Sequence, residues 1–158
     1  MTEFAFPTET FPPLPSLTVE AGEHWQPFYP AGAVLALAWL REPGRFTANV
    51  LATATRFDSD YEFDLAVKAL DEDLSQLPGA QVSLRDRGSL SNWQAYVQEV
   101  AFTHPDAGTL VQCDLLVLVT HSAVSDLLHV VGTGAGDRLD SDYSEVRDVV
   151  RSVKISVD

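Results

Sequence analysis

From Ala80 to Thr133 the apolar residues recur at every second position, and this alternation constrains the fold more than any other feature of the chain. Val82 and Leu84 alternate, and so do Trp93, Ala95 and Val97, while Tyr96, Gln98 and Val100 occupy the opposite register. Side chains of an extended strand point to alternate faces, so a period of two predicts strands rather than helices. Leu110 to Thr120 and Leu127 to Thr133 are rich in Val and Leu, with a turn expected at His121 to Asp126. Polar breaks at Arg85 to Asn92 and His104 to Gly108 separate the runs at hairpin distances, so four antiparallel strands are expected here.

The flanks change pattern. Ala33 to Leu40 and Phe46 to Phe57 read as two strands joined by a turn at Glu42-Pro43-Gly44-Arg45. Ser59-Asp60-Tyr61-Glu62 matches a capping box, and after it Phe63, Ala66, Val67, Leu70, Leu74 and Leu77 recur in steps of three and four. That is a helix, stopped by Leu77-Pro78-Gly79. Gly132-Thr133-Gly134-Ala135-Gly136 reads as a flexible connection to a second helix, capped at Asp140, Ser141 or Asp142, with Val146, Val149, Val150 and Val153 inward. Residues 21 to 32, with Gly22, Pro27, Pro30 and Gly32, read as a loop. Leu17 and Val19 mark a short strand before it. Helices do not alternate with every strand, so the fold class is α+β: an antiparallel sheet of six to seven strands covered by helices.

Residues 1 to 15 form an extended Pro/Phe-rich arm, since Pro7, Pro12, Pro13 and Pro15 forbid a regular helix, and Phe4, Phe6 and Phe11 are expected in apolar grooves of the body. Residues 16 to 158 make one domain. A chain of 158 residues buries about 70% of its unfolded surface, enough for a core without staples, and its lone cysteine, Cys113, excludes an internal disulfide.

Charge narrows the partners. Ten Lys+Arg against 23 Asp+Glu leave a net charge of −13, which repels a phosphate backbone and an anionic membrane surface. Nucleic acid is therefore not expected, nor is membrane insertion: the longest apolar run, Ala31 to Leu40, falls short of the roughly 20 residues a spanning helix needs. Glu3 and Pro7 do not suit a secretory signal, so the expected compartment is the cytoplasm.

No pattern of catalytic residues emerges. His24, His104, His121 and His129 have no HxxxH or HExxH spacing, so no metal site is expected, and no cofactor. His129 sits in an apolar strand, as a sheet-face or core histidine does. His121, Ser122 and Asp126 contain the residue types of a hydrolytic triad but crowd one turn without a G-x-S-x-G elbow, and read as turn chemistry. Gly132-x-Gly134-x-Gly136 lacks the spacing and Lys of a phosphate loop. Asp71-Glu72-Asp73 reads as a solvated helix face, and Cys113 has no neighbouring cation in sequence to activate it. The chain is not expected to be an enzyme. A discriminating geometry would be His121, His129 or Cys113 sharing a cleft with a carboxylate at hydrogen-bond distance.

Several phrases resemble the PsbP-like α/β family, closest to its bacterial LpqN-type branch: Arg45-Phe46-Thr47-Ala48-Asn49-Val50, the helix ending Leu77-Pro78-Gly79, Gly108-Thr109-Leu110-Val111-Gln112, and Tyr143-x-x-Val146-x-x-Val149-Val150-x-Ser152-Val153-Lys154-Ile155. The resemblance spans roughly residues 30 to 156. It implies an α/β/α sandwich and a binding or assembly role, and carries over no catalytic residue. Neither a signal peptide nor a lipobox cysteine is expected from its opening residues, a departure from the lipoprotein branch.

The expected function is a non-enzymatic cytosolic interaction or assembly module for a protein partner, a basic one if the acidic charge steers encounter. Trp25, Phe28, Tyr29, Trp93 and Tyr96 are the candidate contacts, because rigid rings supply contact area at low entropy cost. Homodimerisation through a sheet edge or face is compatible with the pattern. The alternative is an apolar small-molecule site between sheet and helix.

Overall fold

The computed structural model describes residues 1–40 and 46–158. Among the described residues nine strands and two α-helices follow in the order β1 (Ser16–Thr18), β2 (Trp25–Pro27), β3 (Leu35–Trp39), β4 (Asn49–Asp58), α1 (Phe63–Ser75), β5 (Gln81–Leu90), β6 (Trp93–His104), β7 (Gly108–His121), β8 (Val124–Ala135), α2 (Ser144–Arg151) and β9 (Lys154–Ser156). Seven of the strands form one antiparallel sheet in the order β2-β3-β4-β8-β7-β6-β5, and β1 pairs with β9 beside it. The α+β expectation holds.

The two faces have different covers. Val50, Ala52, Val117, Val119, Leu128 and Val130 meet Val146, Val149 and Val150 of α2, with Tyr143 and the β9 residue Ile155 in the same core. On the other face Tyr96, Val100, Leu116 and Leu118 meet Phe63, Ala66, Val67, Leu70 and Leu74, the 3/4-spaced stripe of α1. The helices thus enclose the sheet as a sandwich. β7 and β8 read as continuous apolar runs because their central segments are covered on both sides.

Gly132 and Gly134 are not a flexible linker. They lie within β8, and a Cβ on Gly132 would stand 2.4 Å from Val146 Cγ1 and 2.9 Å from Val150 Cγ2. Glycine there lets α2 approach the sheet. Beyond β8 the chain passes through a 3-10 turn (Gly136–Arg138) and a π-helical turn (Leu139–Tyr143) into α2, so none of Asp140, Ser141 and Asp142 is its N-cap.

Other boundaries shift for local reasons. The break expected at Arg85 to Asn92 is mostly strand: β5 runs to Leu90 and turns in two residues, with Ser91 at positive φ. The turn between β7 and β8 is likewise only two residues, with Ser122 at positive φ. Residues 21 to 32 contain β2, three residues pairing Trp25 with Trp39. Glu62 is the N-cap of α1 and no side chain caps it, so the Ser59 capping box does not form. β3 and β4 pair as the expected hairpin. Their turn at Glu42-Pro43-Gly44-Arg45 lies outside the described residues.

In the arm, Phe4, Phe6 and Phe11 are exposed rather than docked, while Pro12 and Pro15 are buried. A polar contact also fastens this stretch. Arg56 donates from Nη1 to the Pro12 carbonyl at 2.6 Å.

Candidate functional site

Beyond the N-terminal arm, where Phe4, Phe6, Phe11 and Leu14 are exposed, apolar surface is left open where β2 meets β3. Pro27 is tolerated because β2 is an edge strand; Phe28 still donates to the Ala36 carbonyl at 3.1 Å, and the chain then leaves the sheet edge through Tyr29 and Pro30 before Val34 returns it by donating to Ala52. Tyr29 is 90% exposed and Val34 51%, and Phe28 is half-buried beside them. Phe28, Tyr29, Val34 and Leu35 line a groove of about 340 Å³ at this corner. Such adjacent apolar side chains at one edge are unlike the scattered exposed residues every surface carries.

The other aromatic candidates lie elsewhere. Trp25 is buried and stacks on Trp39, with ring centroids 5.9 Å apart. Tyr96 is buried beneath α1, where its hydroxyl donates to Asp71 at 2.7 Å. Burial, then the Asp71 bond, pushes that phenol up to about 12. Asp71 also accepts from Gln98 Nε2 at 3.0 Å, so it is a polar anchor of α1 and not a solvated surface charge. Trp93 is half-buried in the β5–β6 hairpin, at the opposite end of the sheet from Tyr29. Five aromatic candidates therefore resolve to one cluster, Phe28 with Tyr29.

A second concavity opens on the α2 face at the β5 edge. Register places Asp86, Gly88 and Leu90 of β5 on the side of the sheet shared by Ala95 and Val97 of β6 and Cys113 and Leu115 of β7. Because α2 packs chiefly on β8, β7 and β4, these strands are left partly uncovered. The resulting pocket, of about 220 Å³, is closed on its far side by Val150, Arg151 and Val153. Cys113 at its base is buried, and desolvation, reinforced by the Glu99 and Asp114 charges, pushes its thiol up to about 12. It stays a neutral thiol at pH 7.

Two imidazole–carboxylate pairs satisfy the distance criterion for catalysis. His121 Nε2 and His129 Nε2 each lie 2.6 Å from a carboxylate oxygen, of Asp126 and Asp114 respectively. Asp126 is fully buried and also holds Arg56 in a fork, with Nε at 2.7 Å and Nη2 at 2.9 Å. Burial alone pushes its carboxyl up, but the bonds and charges of Arg56 and His121 outweigh that and hold it below the usual carboxylate range. This ties β4, β7 and β8 together, which is more than the turn chemistry expected of His121 and Asp126. Asp114, also fully buried, accepts from Gln112 Nε2 at 2.8 Å and from His129, whose side chain is 29% exposed on the α1 face. Among the described residues neither imidazole hydrogen-bonds a hydroxyl or thiol. A third buried carboxylate, Glu99, accepts from Tyr143 Oη at 2.6 Å and Arg147 Nε at 2.7 Å, and so fastens α2 to β6. Among the described residues no three His, Cys, Asp or Glu side chains are placed to hold a metal ion.

No protein-family model matches the chain, and no curated protein matches its sequence. Solved structures do. LpqN, involved in cell envelope biogenesis of Mycobacterium tuberculosis, superposes with a TM-score of 0.76 at 14% identity, over 92% of this chain and 86% of that one. The cyanobacterial PsbP of Synechocystis gives 0.54 at 15% identity, over 98% of both chains. The Saccharomyces cerevisiae Ran-binding protein Mog1p gives 0.51 at 11% identity, over 87% of this chain and 89% of that one. The fold is PsbP-like with an LpqN-type neighbour, as the sequence resemblance implies. No described helix is long and apolar enough to cross a membrane.

Proposed function

We propose that this chain is a non-enzymatic binding module that holds a protein partner at the β2–β3 corner. The observation carrying this reading is the exposed pair Tyr29 and Val34 beside the Phe28 groove. A rigid ring standing free next to a groove is the composition of an interface anchor. The partner is basic. A net charge of −13 raises the encounter rate with a cationic surface and repels acidic competitors.

Two further points support a binding role. Buried Asp126, Asp114 and Glu99 are engaged by arginine, histidine or tyrosine from other strands or helices, so these groups, which could do acid–base work, serve as cross-braces. Among proteins of similar fold, Mog1p is described as Ran-binding, so this architecture hosts protein recognition in at least one case. Fold likeness by itself does not transmit a partner.

The test is parallel affinity capture from the native host with the wild-type chain and a Tyr29→Ala/Val34→Ser variant, the bound proteins identified by mass spectrometry. The proposal expects a basic protein held by the wild type, released as salt rises, and lost from the variant. Equal capture by both chains refutes the surface, and capture insensitive to salt refutes the electrostatic element. A concentration-dependent dimer abolished by the same variant would replace the foreign partner by a second copy.

A further inference from the structure

We propose that the pocket between β5–β6–β7 and the end of α2 binds a small carboxylic acid with an apolar body, its carboxylate seated on Arg151. This site is independent of the protein-binding corner, since β5 and β2 are opposite edges of the sheet.

The cavity is large enough and of suitable character. It measures about 220 Å³ and is lined mainly by Ala95, Val97, Cys113, Leu115, Val150 and Val153. An apolar cavity of roughly 150 Å³ already takes up benzene. A single aromatic ring or short acyl chain fits this one, and the neutral Cys113 thiol adds no charge to its base.

Gly88 points to the space being kept open. The glycines of β8 and of the turn after it are demanded by packing: a Cβ would stand 2.4 Å from Val146 at Gly132, 3.3 Å from Tyr143 at Gly134 and 2.8 Å from Thr109 at Gly136. At Gly88 a Cβ would meet nothing within 4 Å, and its φ is not in the left-handed region. Neither sterics nor backbone conformation calls for glycine in the middle of this strand, where it weakens β structure. What its missing side chain leaves is the pocket wall.

Arg151 supplies the charge selection. It is exposed in the last turn of α2 and lines the pocket. Arg56, Arg85, Arg87, Arg138 and Arg147 each have a carboxylate partner, whereas Arg151 has none among the described residues, in a chain with 23 acidic groups. Asp86, the other charged group on the rim, makes no ion pair with it. With one guanidinium and one carboxylate at the mouth, a monoanion is accommodated and a phosphate dianion is disfavoured.

The experiment is a titration of the full chain with octanoate, and separately with 1-octanol, followed by amide NMR shifts. Octanoate is expected to move amides of residues 86–97, Cys113 and the end of α2. Gly88→Leu, which places a side chain in the open space, is expected to weaken octanoate at least about tenfold while leaving the urea midpoint unchanged or higher. Arg151→Gln is expected to weaken octanoate about threefold and leave octanol unaffected. Absence of shifts at millimolar octanoate, or undiminished binding by Gly88→Leu, overturns the site. Equal loss of octanoate and octanol in Arg151→Gln overturns the carboxylate assignment.

Discussion

Replacing Asp126 by Asn separates a structural role for the His121–Asp126 pair from any other. The substitution keeps the shape of the side chain and removes the charge that holds Arg56 at 2.7 and 2.9 Å and His121 at 2.6 Å. Removing one partner of a buried ion pair costs about 3–5 kcal/mol, because the survivor is left uncompensated. The Arg56 side chain is 28% exposed, so water recovers part of its solvation, and the expected loss lies near the lower end, about 3 kcal/mol. With a urea slope of about 2 kcal/mol per M, the midpoint should fall by roughly 1.5 M. The same variant yields a pH signature. Asp126 is held below its ordinary value in the folded chain, so its contribution is complete above the unfolded value of about 3.9 and disappears as pH falls through the lower folded value. The gap between wild type and Asp126→Asn should therefore be full at pH 6 and narrow steadily below about pH 4. Urea unfolding followed by tryptophan fluorescence at a series of pH values measures both. A loss below about 1 kcal/mol, or a gap that widens on acidification, refutes the reasoning.

Gly132→Ala should destabilise the chain by about 1–3 kcal/mol through overpacking against Val146 and Val150, and adding Val146→Ala should recover part of that loss; strictly additive effects in urea unfolding would contradict the close approach. Cys113 should resist thiol reagents in the folded chain and react only as fast as the chain opens, so prompt stoichiometric labelling of native protein would contradict its burial and raised thiol. Tyr29→Ala/Val34→Ser should leave the unfolding free energy from urea titration within about 0.5 kcal/mol of wild type, because both side chains face solvent; a larger loss would show that the corner serves folding.

What the sequence discloses depends on how burial writes itself into local pattern. α1 is legible because one face of a helix is covered, which produces the 3/4 spacing of Phe63, Ala66, Val67, Leu70 and Leu74. β7 and β8 are legible as Val/Leu-rich runs because helices cover both faces. β5 is not. As an edge strand it carries Arg85, Asp86 and Arg87, the charges that discourage pairing with another chain, and those charges read as a loop. β2 is hidden by its three-residue length and by Pro27. The polar braces were beyond local pattern, since Arg56 and Asp126 are 70 residues apart and Glu99 and Arg147 are 48 apart. Of the aromatic candidates, exposure could not be read from residue type: Trp25 and Tyr29 lie four positions apart, one in the core and one in solvent. The pocket was legible only as a class of site, between sheet and helix. Gly88 was its local signal, a glycine inside what is in fact a strand.

The central claim is that a protein partner seats on the β2–β3 corner. Hydrogen exchange of the captured complex, compared with the free chain, tests it most directly. Slowed exchange should concentrate in residues 25–40, around Tyr29 and Val34, with the β5 edge unchanged. Protection confined to β5 or α1, with residues 25–40 exchanging as in the free chain, would contradict it.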